Sequence, residues 1–269
     1  MVGRGLILAL AGLSAGVLAG FLGIGGGTVM VPVMVAVGLS GVQAVGTSTL
    51  AIAIIALVGS LQNWRMGFLK VGPVAMLGLP ALVTAYLGKE VATALPEYAL
   101  LGIFGLFLLF NIYLIGIKKQ VVRQAQRAET DGDSARPVPT KVSPTVARLG
   151  IGGLAGFLAG LFGVGGGVVM VPLQILLLQE PIKSAVQTSL GAIVITGLWA
   201  CLWHAQAGNV QLATGLILGG VGAIGVQIST RYLPRLPDQT ITVMFRLLLA
   251  LLAGYFFLKA WMNYTALSV

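Results

Sequence analysis

Charged residues are scarce in this chain, at 9% of the sequence against 57% hydrophobic residues. An ordinary soluble domain carries about 25% charged residues. Residues 5–64 contain no Asp, Glu, Lys or Arg, and the same holds for residues 149–179 and 184–230. At about 1.5 Å per residue, a helix of the first run would extend about 90 Å, which is roughly three bilayer cores. The scarcity of charge excludes a soluble core and predicts a multi-pass membrane protein.

Acidic residues are absent from the interior of every apolar segment, because all seven lie in loops or at segment ends. Cation pumps and proton-driven carriers commonly place carboxylates inside the membrane. Their absence favours an anion as the substrate. The single cysteine, Cys201, excludes an intramolecular disulfide, and the single histidine, His204, cannot build a metal site by itself. No nucleophile or metal cluster is visible, so we expect no enzyme activity, no metal and no cofactor.

One glycine-rich motif occurs twice, as GFLGIGGGTVMVP at residues 20–32 and as GLFGVGGGVVMVP at residues 160–172. Nine of the thirteen positions are identical. The register continues beyond the motif, where AVGTS at 44–48 matches AVQTS at 185–189, Asn63 matches His204, and Gly67 matches Gly208. A duplication of this length predicts two copies of one structural unit. We expect a first transmembrane repeat at 1–117, a basic linker at 118–146 and a second repeat at 147–269.

The first apolar segment of each half is too long for one span. Residues 5–37 exceed the roughly 20 residues that a straight transmembrane helix needs, and glycines cluster near their middle. Glycine permits backbone conformations that other residues avoid. We predict an all-α membrane protein in which each half has a glycine-broken first helix and three transmembrane helices. The breaks are expected at 23–27 and 163–167, with the second pieces beginning near Thr28 and Val168 and a proline in or near the first turn of each piece.

The broken segment either crosses the membrane or doubles back, and this choice decides the topology. The stretch from Lys118 to Arg148 carries a net charge of +4, so the positive-inside bias places it in the cytoplasm. No binding motif supports a nucleic-acid partner. If the segments double back, the halves are inverted repeats, and if they cross, the halves run parallel. We favour re-entrant segments and inverted repeats because many transporters combine inverted repeats with broken helices.

The two glycine breaks are the candidate anion site. A helix N-terminus offers unpaired amides and a partial positive charge, and glycines allow an anion to approach them closely. Close helix packing is the alternative role for these small residues. The predicted binding glycines are Gly25, Gly26, Gly27, Gly165, Gly166 and Gly167.

Polar residues after each break extend the candidate site. Thr47 and Ser48 in the first half match Thr188 and Ser189 in the second. They either face the substrate or bond back to their own helix carbonyls. Arg65 is either an interfacial anchor or a cation that guards the anion path. His204 is either interfacial or linked to pH-dependent transport.

The duplicated pattern GIGGGTVMVP and GVGGGVVMVP, with AVGTS and AVQTS after it, resembles the sulfite exporter TauE/SafE family of bacterial membrane proteins. The resemblance covers almost the whole chain. It implies export of sulfite or of an organosulfonate such as sulfoacetate, with binding by the motif glycines and the four matched hydroxyl residues. The second copy departs from the first by having Val168 where the first has Thr28.

The sequence therefore predicts a secondary transporter that exports a small sulfur-containing anion by alternating access. The alternatives are an anion channel and a membrane assembly subunit without transport activity. We expect the protein in the inner membrane of a bacterium, with the central loop in the cytoplasm. Its expected partners are the small anion and the lipid bilayer, with no nucleic acid, and a homodimer is left open.

Overall fold

The computed structural model describes residues 2–96, 98–99, 101–113, 143–162 and 166–267. Within these residues the regular structure is helical and no strand occurs, as expected for an all-α protein. The helices of the first half are α1 (Val2–Leu22), α2 (Gly27–Ala36), α3 (Gly41–Arg65), α4 (Val71–Ala94) and α5 (Leu101–Tyr113). Those of the second half are α6 (Pro144–Phe162), α7 (Gly167–Leu177), α8 (Ile182–Gln206), α9 (Leu212–Tyr232) and α10 (Asp238–Leu267).

Seven of the helices in the described residues are long and apolar enough to cross a bilayer, namely α1, α3, α4, α6, α8, α9 and α10. The helices α2 and α7 are shorter, as the glycine breaks predict, and α5 is described over 13 residues. Most of the predicted linker, residues 118–142, lies outside the described residues.

The matched glycines at 67 and 208 end equivalent helices. Gly67 follows α3 with φ 78°, and the amide of Phe68 donates to the carbonyl of Asn63 at 2.9 Å. Gly208 follows α8 with φ 72°, and the amide of Asn209 donates to the carbonyl of His204 at 2.9 Å. Both are left-handed helix ends of the kind that glycine favours. This part of the repeat therefore encodes a helix stop.

The first apolar segment of each half doubles back. A Cβ added at Gly26, before α2, would lie 2.8 Å from the carbonyl oxygen of Ala15, and one added at Gly38, after α2, would lie 3.9 Å from Arg4. Residue numbers rise along α2 as those of its neighbours on α1 fall, so the two helices are antiparallel.

The second half repeats this hairpin. A Cβ at Gly166, before α7, would lie 3.6 Å from the carbonyl oxygen of Ala155, which is the repeat equivalent of Ala15. After α7, Glu180 pairs with Arg148 near the start of α6 at 2.9 Å. In this hairpin, an ion pair therefore joins the two open ends.

Helices of the two halves interleave through glycine faces. Gly16 of α1 packs against Gly222 of α9, and Gly20 packs against Ser229, so these two helices run parallel. In the same way, Gly152 of α6 packs against Leu77 of α4. Gly160 packs against Ala85, so α4 and α6 are also parallel. Residues without side chains let membrane helices approach to backbone contact.

Equivalent helices that touch run in opposite directions. On α3 and α8, Gly59 lies against Leu190 while Gly197 lies against Ala53. On α5 and α10, the rings of Phe104 and Phe256 are 4.8 Å apart. Tyr98, shortly before α5, is 5.7 Å from Tyr264. Residue numbers rise along one helix as they fall along the other, so each pair is antiparallel.

Candidate functional site

The two glycine breaks meet where α3 crosses α8, and we call residues 23–27 and 163–167 the first and second joints. A Cβ at Gly25 would lie 3.2 Å from Ile52 of α3 and 3.4 Å from Ile193 of α8. Gly167 packs against the carbonyl of Gly23 and against Ile24. The two joints therefore contact one another in the interior of the protein.

The first joint requires glycine for conformational reasons. Gly23, Gly25 and Gly26 have φ values of 68°, 77° and 78°, in the left-handed region that L side chains rarely adopt. The second joint differs, because Gly166 has an ordinary helical φ of −66°. Gly165 lies outside the described residues.

Each joint is followed by a helix whose first amides have no acceptor among the described residues. The carbonyl of Gly26 accepts from Val29 at 3.1 Å and from Met30 at 3.2 Å, which leaves the amides of Gly27 and Thr28 unused. The carbonyl of Gly166 accepts from Val169 and Met170 in the same way. Unpaired amides at a helix N-terminus are the donors that bind anions in many proteins.

The prolines lie deeper in these helices than the sequence indicated. Because α2 begins at Gly27 and α7 at Gly167, Pro32 and Pro172 are the sixth residues and lie beyond the first turn. A proline there has no amide to donate to the carbonyl four residues earlier, which belongs to Thr28 in α2 and to Val168 in α7. The prolines are therefore near the first turn but not in it, because each helix starts one residue before Thr28 or Val168, where the sequence placed its start.

Thr28 has an unused hydroxyl beside the free amides of α2. Its side chain is 6% exposed, and its Oγ1 has no hydrogen-bond partner among the described residues. Because Thr28 is the second residue of α2, its own helix has no carbonyl three or four residues earlier that could accept from the hydroxyl. In the sequence, Thr28 stood out only as a position where the two copies of the motif differ. Its buried hydroxyl without a hydrogen-bond partner makes Thr28 a candidate site residue.

Of the four matched hydroxyl residues, Ser189 reaches a joint. Its Oγ donates to the carbonyl of Gly23 at 2.9 Å. Ser48 instead donates to the carbonyl of Val45 at 2.7 Å, which is the bond back to its own helix. The Oγ1 of Thr47 accepts from the amide of Gln211 at 3.0 Å, at the start of α9. Thr188 is buried next to Ser189.

Arg65 and His204 are placed away from the joints. Arg65 is exposed at the end of α3, 13 residues and about 20 Å beyond Ile52, which touches the first joint. His204 lies near the end of α8, 11 residues and about 16 Å beyond Ile193. Since α3 and α8 are antiparallel, these two residues lie on opposite sides of the joints.

Three buried polar residues were not among the site residues predicted from the sequence. Asn63 of α3 is fully buried, and neither atom of its amide has a partner among the described residues. Ser60, one turn earlier, is 6% exposed with an unpartnered Oγ. The Nε2 of Gln174 on α7 donates to two carbonyls, but its Oε1 is unpartnered. The available signal was a polar residue inside an uncharged run, strengthened for Asn63 by its match to His204.

The described residues contain no group of three or more His, Cys, Asp or Glu side chains that could hold a metal ion. Cys201 is a free, partly exposed thiol.

A family model described as sulfite exporter TauE/SafE matches residues 8–256. The chain belongs to the TauE/SafE family. Similar proteins include "probable membrane transporter protein YunE" of Bacillus subtilis, 27% identical over 92% of this chain and 95% of that protein. A "probable membrane transporter protein" of Methanocaldococcus jannaschii is 25% identical over 85% of this chain and 88% of its own length. One from Haemophilus influenzae is 38% identical, over 38% of this chain and 42% of that protein.

Membership in TauE/SafE confirms the resemblance predicted from the duplicated motif. Together with the seven apolar helices of the described residues, it identifies a multi-pass membrane protein of a transporter family. Family members are membrane transporters, so the expectation that this chain is not an enzyme is also confirmed.

Proposed function

We propose that this TauE/SafE protein is a secondary transporter that exports a small sulfur-containing anion, sulfite or an organosulfonate, by alternating access. The observation that carries the proposal is the meeting of two helix N-termini in the protein interior. The amides of Gly27 and Thr28 begin α2, and those of Gly167 and Val168 begin α7, with no backbone acceptor for any of them among the described residues.

The electrostatics of this arrangement suit an oxyanion. Each helix N-terminus carries roughly half a positive charge, so two of them offset about one negative charge. Backbone amides bind sulfonate oxygens without the cost of burying a cationic side chain. The unused hydroxyl of Thr28 supplies a further donor on one side of the site. The substrate is therefore a compact anion with several acceptor oxygens.

The helix directions support inverted repeats. Each half has a hairpin followed by three further helices, and the equivalent helices α3 and α8 are antiparallel. With the linker in the cytoplasm, twelve of the 16 Lys and Arg residues fall on that face or in the linker, and three fall on the opposite face. These three are Arg4, Lys89 and Lys259. The bias agrees with the positive-inside rule and with the inner membrane of a bacterium as the location.

The tight contact between the joints favours alternating access over an open channel. Gly167 touches the carbonyl of Gly23, so the joints close the centre of the protein in this state. A transported anion must separate them, which links passage to a conformational change. An inside-negative potential supplies about 2.3 kcal/mol per charge per 100 mV for anion efflux. Export therefore requires no ATP-binding motif.

The experiment is efflux from proteoliposomes loaded separately with sulfite, thiosulfate, sulfate, sulfoacetate or taurine, under an imposed inside-negative potential. We expect one sulfur anion to leave with saturable kinetics and to leave faster as the potential rises. Non-saturating flux of all the anions would identify a channel instead. No flux of any anion, from protein that remains folded and correctly inserted, would contradict the proposal.

A further inference from the structure

Four residues of α3 form a line from the joints toward the linker-side end of that helix. Ile52, Ala56, Ser60 and Asn63 follow spacings of four, four and three residues, so they share one helix face. All four are buried, and Ile52 contacts the first joint at Gly25 and Gly27. We call these residues the α3 stripe.

The repeat register places four equivalent residues on α8, namely Ile193, Gly197, Cys201 and His204. We call them the α8 stripe. Their types match those of the α3 stripe position by position: Ile with Ile, Gly with Ala, Cys with Ser, and His with Asn. Gly197 lies against Ile52 and Ala53, where the two helices cross. The stripes therefore start at the same place.

The two stripes extend in opposite directions, because α3 and α8 are antiparallel. Each covers 12 residues, and its ends are about 16 Å apart along the helix. Together they span about 33 Å, close to the roughly 30 Å of a bilayer hydrocarbon core. The line formed by the two stripes thus runs from Asn63 through the joints to His204, over about the thickness of the hydrocarbon core.

The outer half of the α3 stripe carries polar atoms that the protein itself does not satisfy. The Oγ of Ser60 and both amide atoms of Asn63 lack partners among the described residues, although both side chains are buried. Ser60 does not make the bond to its own helix that a membrane serine usually makes. Unsatisfied buried polar groups destabilise a fold, so an apolar pair would serve packing better. Their presence points to a ligand that visits them.

We propose that the two stripes line the path of the anion, with Ser60 and Asn63 donating hydrogen bonds to it between the joints and the linker-side surface. This inference rests on the proposed export function and adds its route. The hydroxyl of Ser60 and the Nδ2 group of Asn63 are donors, as an oxyanion requires. The α3 stripe is buried, and Cys201 and His204 of the α8 stripe are partly exposed.

The single cysteine of the chain allows a direct test. Cys201 lies on the α8 stripe, and the double variant Cys201→Ser, Ser60→Cys moves the thiol to the equivalent position on the α3 stripe. The probe is 2-sulfonatoethyl methanethiosulfonate, a membrane-impermeant sulfonate, applied to right-side-out and inside-out vesicles. Labelling is measured by mass spectrometry. The matched controls are Leu202→Cys and Leu61→Cys in the Cys201→Ser background, each one residue from a stripe on an exposed side chain.

We expect Cys201 to react from the face opposite the linker and the cysteine at position 60 from the linker face. Both should react at least about tenfold faster than the controls, because a thiolate forms in a hydrated path and not in lipid. The exported anion should slow both reactions. Stripe labelling no faster than the controls would overturn the path, even where efflux is normal and the export proposal stands. If the stripe cysteines react fast but the protein moves none of the tested anions, the hydrated path stands and the export proposal is contradicted.

Asn63→Leu separates a role in the path from a role in folding. We expect this variant to lose efflux by about tenfold or more, the effect of one hydrogen bond to a charged group. Its melting temperature should stay equal or rise, because an unsatisfied amide is replaced by an apolar side chain of similar size. A lower melting temperature with unchanged efflux per folded molecule would show that Asn63 is structural and would contradict the proposal.

Discussion

The two joints share four glycines, yet the same glycine has a different conformation or different neighbours in each joint. At the position of Gly26 and Gly166, the first copy has a left-handed φ and the second an ordinary helical one. At the next position, Gly167 touches the backbone of Gly23, whereas Gly27 faces the tip of the Ile52 side chain. Identical residues in a duplicated motif therefore carry different constraints, since each joint has different neighbours. Each glycine of one joint can therefore serve as the control for the equivalent glycine of the other joint.

The largest difference is expected at Gly167 and Gly27. A Cβ at Gly167 would overlap the carbonyl of Gly23, which cannot move without disturbing the first joint. A Cβ at Gly27 would lie 2.7 Å from Ile52 Cδ1, the end of a flexible side chain. We expect Gly167→Ala to abolish efflux and to destabilise by about 2–3 kcal/mol, and Gly27→Ala to cost less than about 1 kcal/mol. Equal melting temperatures and efflux rates for the two variants would remove the asymmetry.

At Gly26 and Gly166, one position earlier, we expect the first copy to be the more sensitive to substitution. Gly26→Ala imposes a left-handed conformation on alanine and brings its Cβ to 2.8 Å from the carbonyl oxygen of Ala15. Gly166→Ala keeps an ordinary φ and meets the terminal methyl of Met170 at 3.0 Å. We expect a loss of about 1–2 kcal/mol or more for Gly26→Ala, and near-normal stability and efflux for Gly166→Ala. The check is thermal unfolding in detergent, and a more damaging Gly166→Ala would contradict the assignment.

Thr28 and Val168 test whether the joints bind the anion unequally. Thr28→Val makes the first joint like the second and removes an orphaned hydroxyl. We expect about tenfold weaker anion affinity, the value of a hydrogen bond to a charged group, with stability unchanged or slightly raised. Val168→Thr is the matched variant and should not weaken binding. Titration calorimetry measures both, and wild-type affinity in Thr28→Val would exclude the hydroxyl from the site.

The smallest effect concerns the hairpin ends. Arg148 and Glu180 join α6 to the end of α7 at 2.9 Å, with side chains 22% and 14% exposed. The equivalent part of the first hairpin has Arg4 near Gly38. Removing one partner of a partly buried pair should cost about 1–2 kcal/mol, with the double replacement Arg148→Met, Glu180→Leu costing less. Additive losses in thermal unfolding would show that the two side chains do not stabilise each other.

Much of the fold was predictable because it follows from composition and repetition. Uncharged runs indicate membrane helices, and an overlong run with central glycines indicates a break, which the structure has as a hairpin. The matched Gly67 and Gly208 were noticed as a repeat, although their role as helix stops needed the backbone angles.

The site was less predictable, because a side chain's partner depends on packing between distant segments. Thr47 and Ser48 are adjacent in the motif, but one binds the start of α9 and the other its own helix. Ser189 bonds to Gly23, 166 residues away. In the sequence, Asn63 was distinguished only by its match to His204. Its amide is buried without a hydrogen-bond partner among the described residues, and this follows from how α3 packs against its neighbours. Local patterns specify elements, whereas orphaned groups are a property of the assembled core.

Thermal unfolding with a panel of anions would show whether the joined helix N-termini bind a sulfur anion. The purified protein, Gly166→Ala and Thr28→Val would each be melted with sulfite, thiosulfate, sulfate, sulfoacetate, taurine and a neutral amide. At a hundred times the dissociation constant, binding stabilises by about 2.7 kcal/mol. We expect one sulfur anion to stabilise the protein and Gly166→Ala, with a smaller shift in Thr28→Val. Stabilisation by no sulfur anion would contradict an anion site at the joints, and equal stabilisation of all three proteins would exclude the Thr28 hydroxyl from that site.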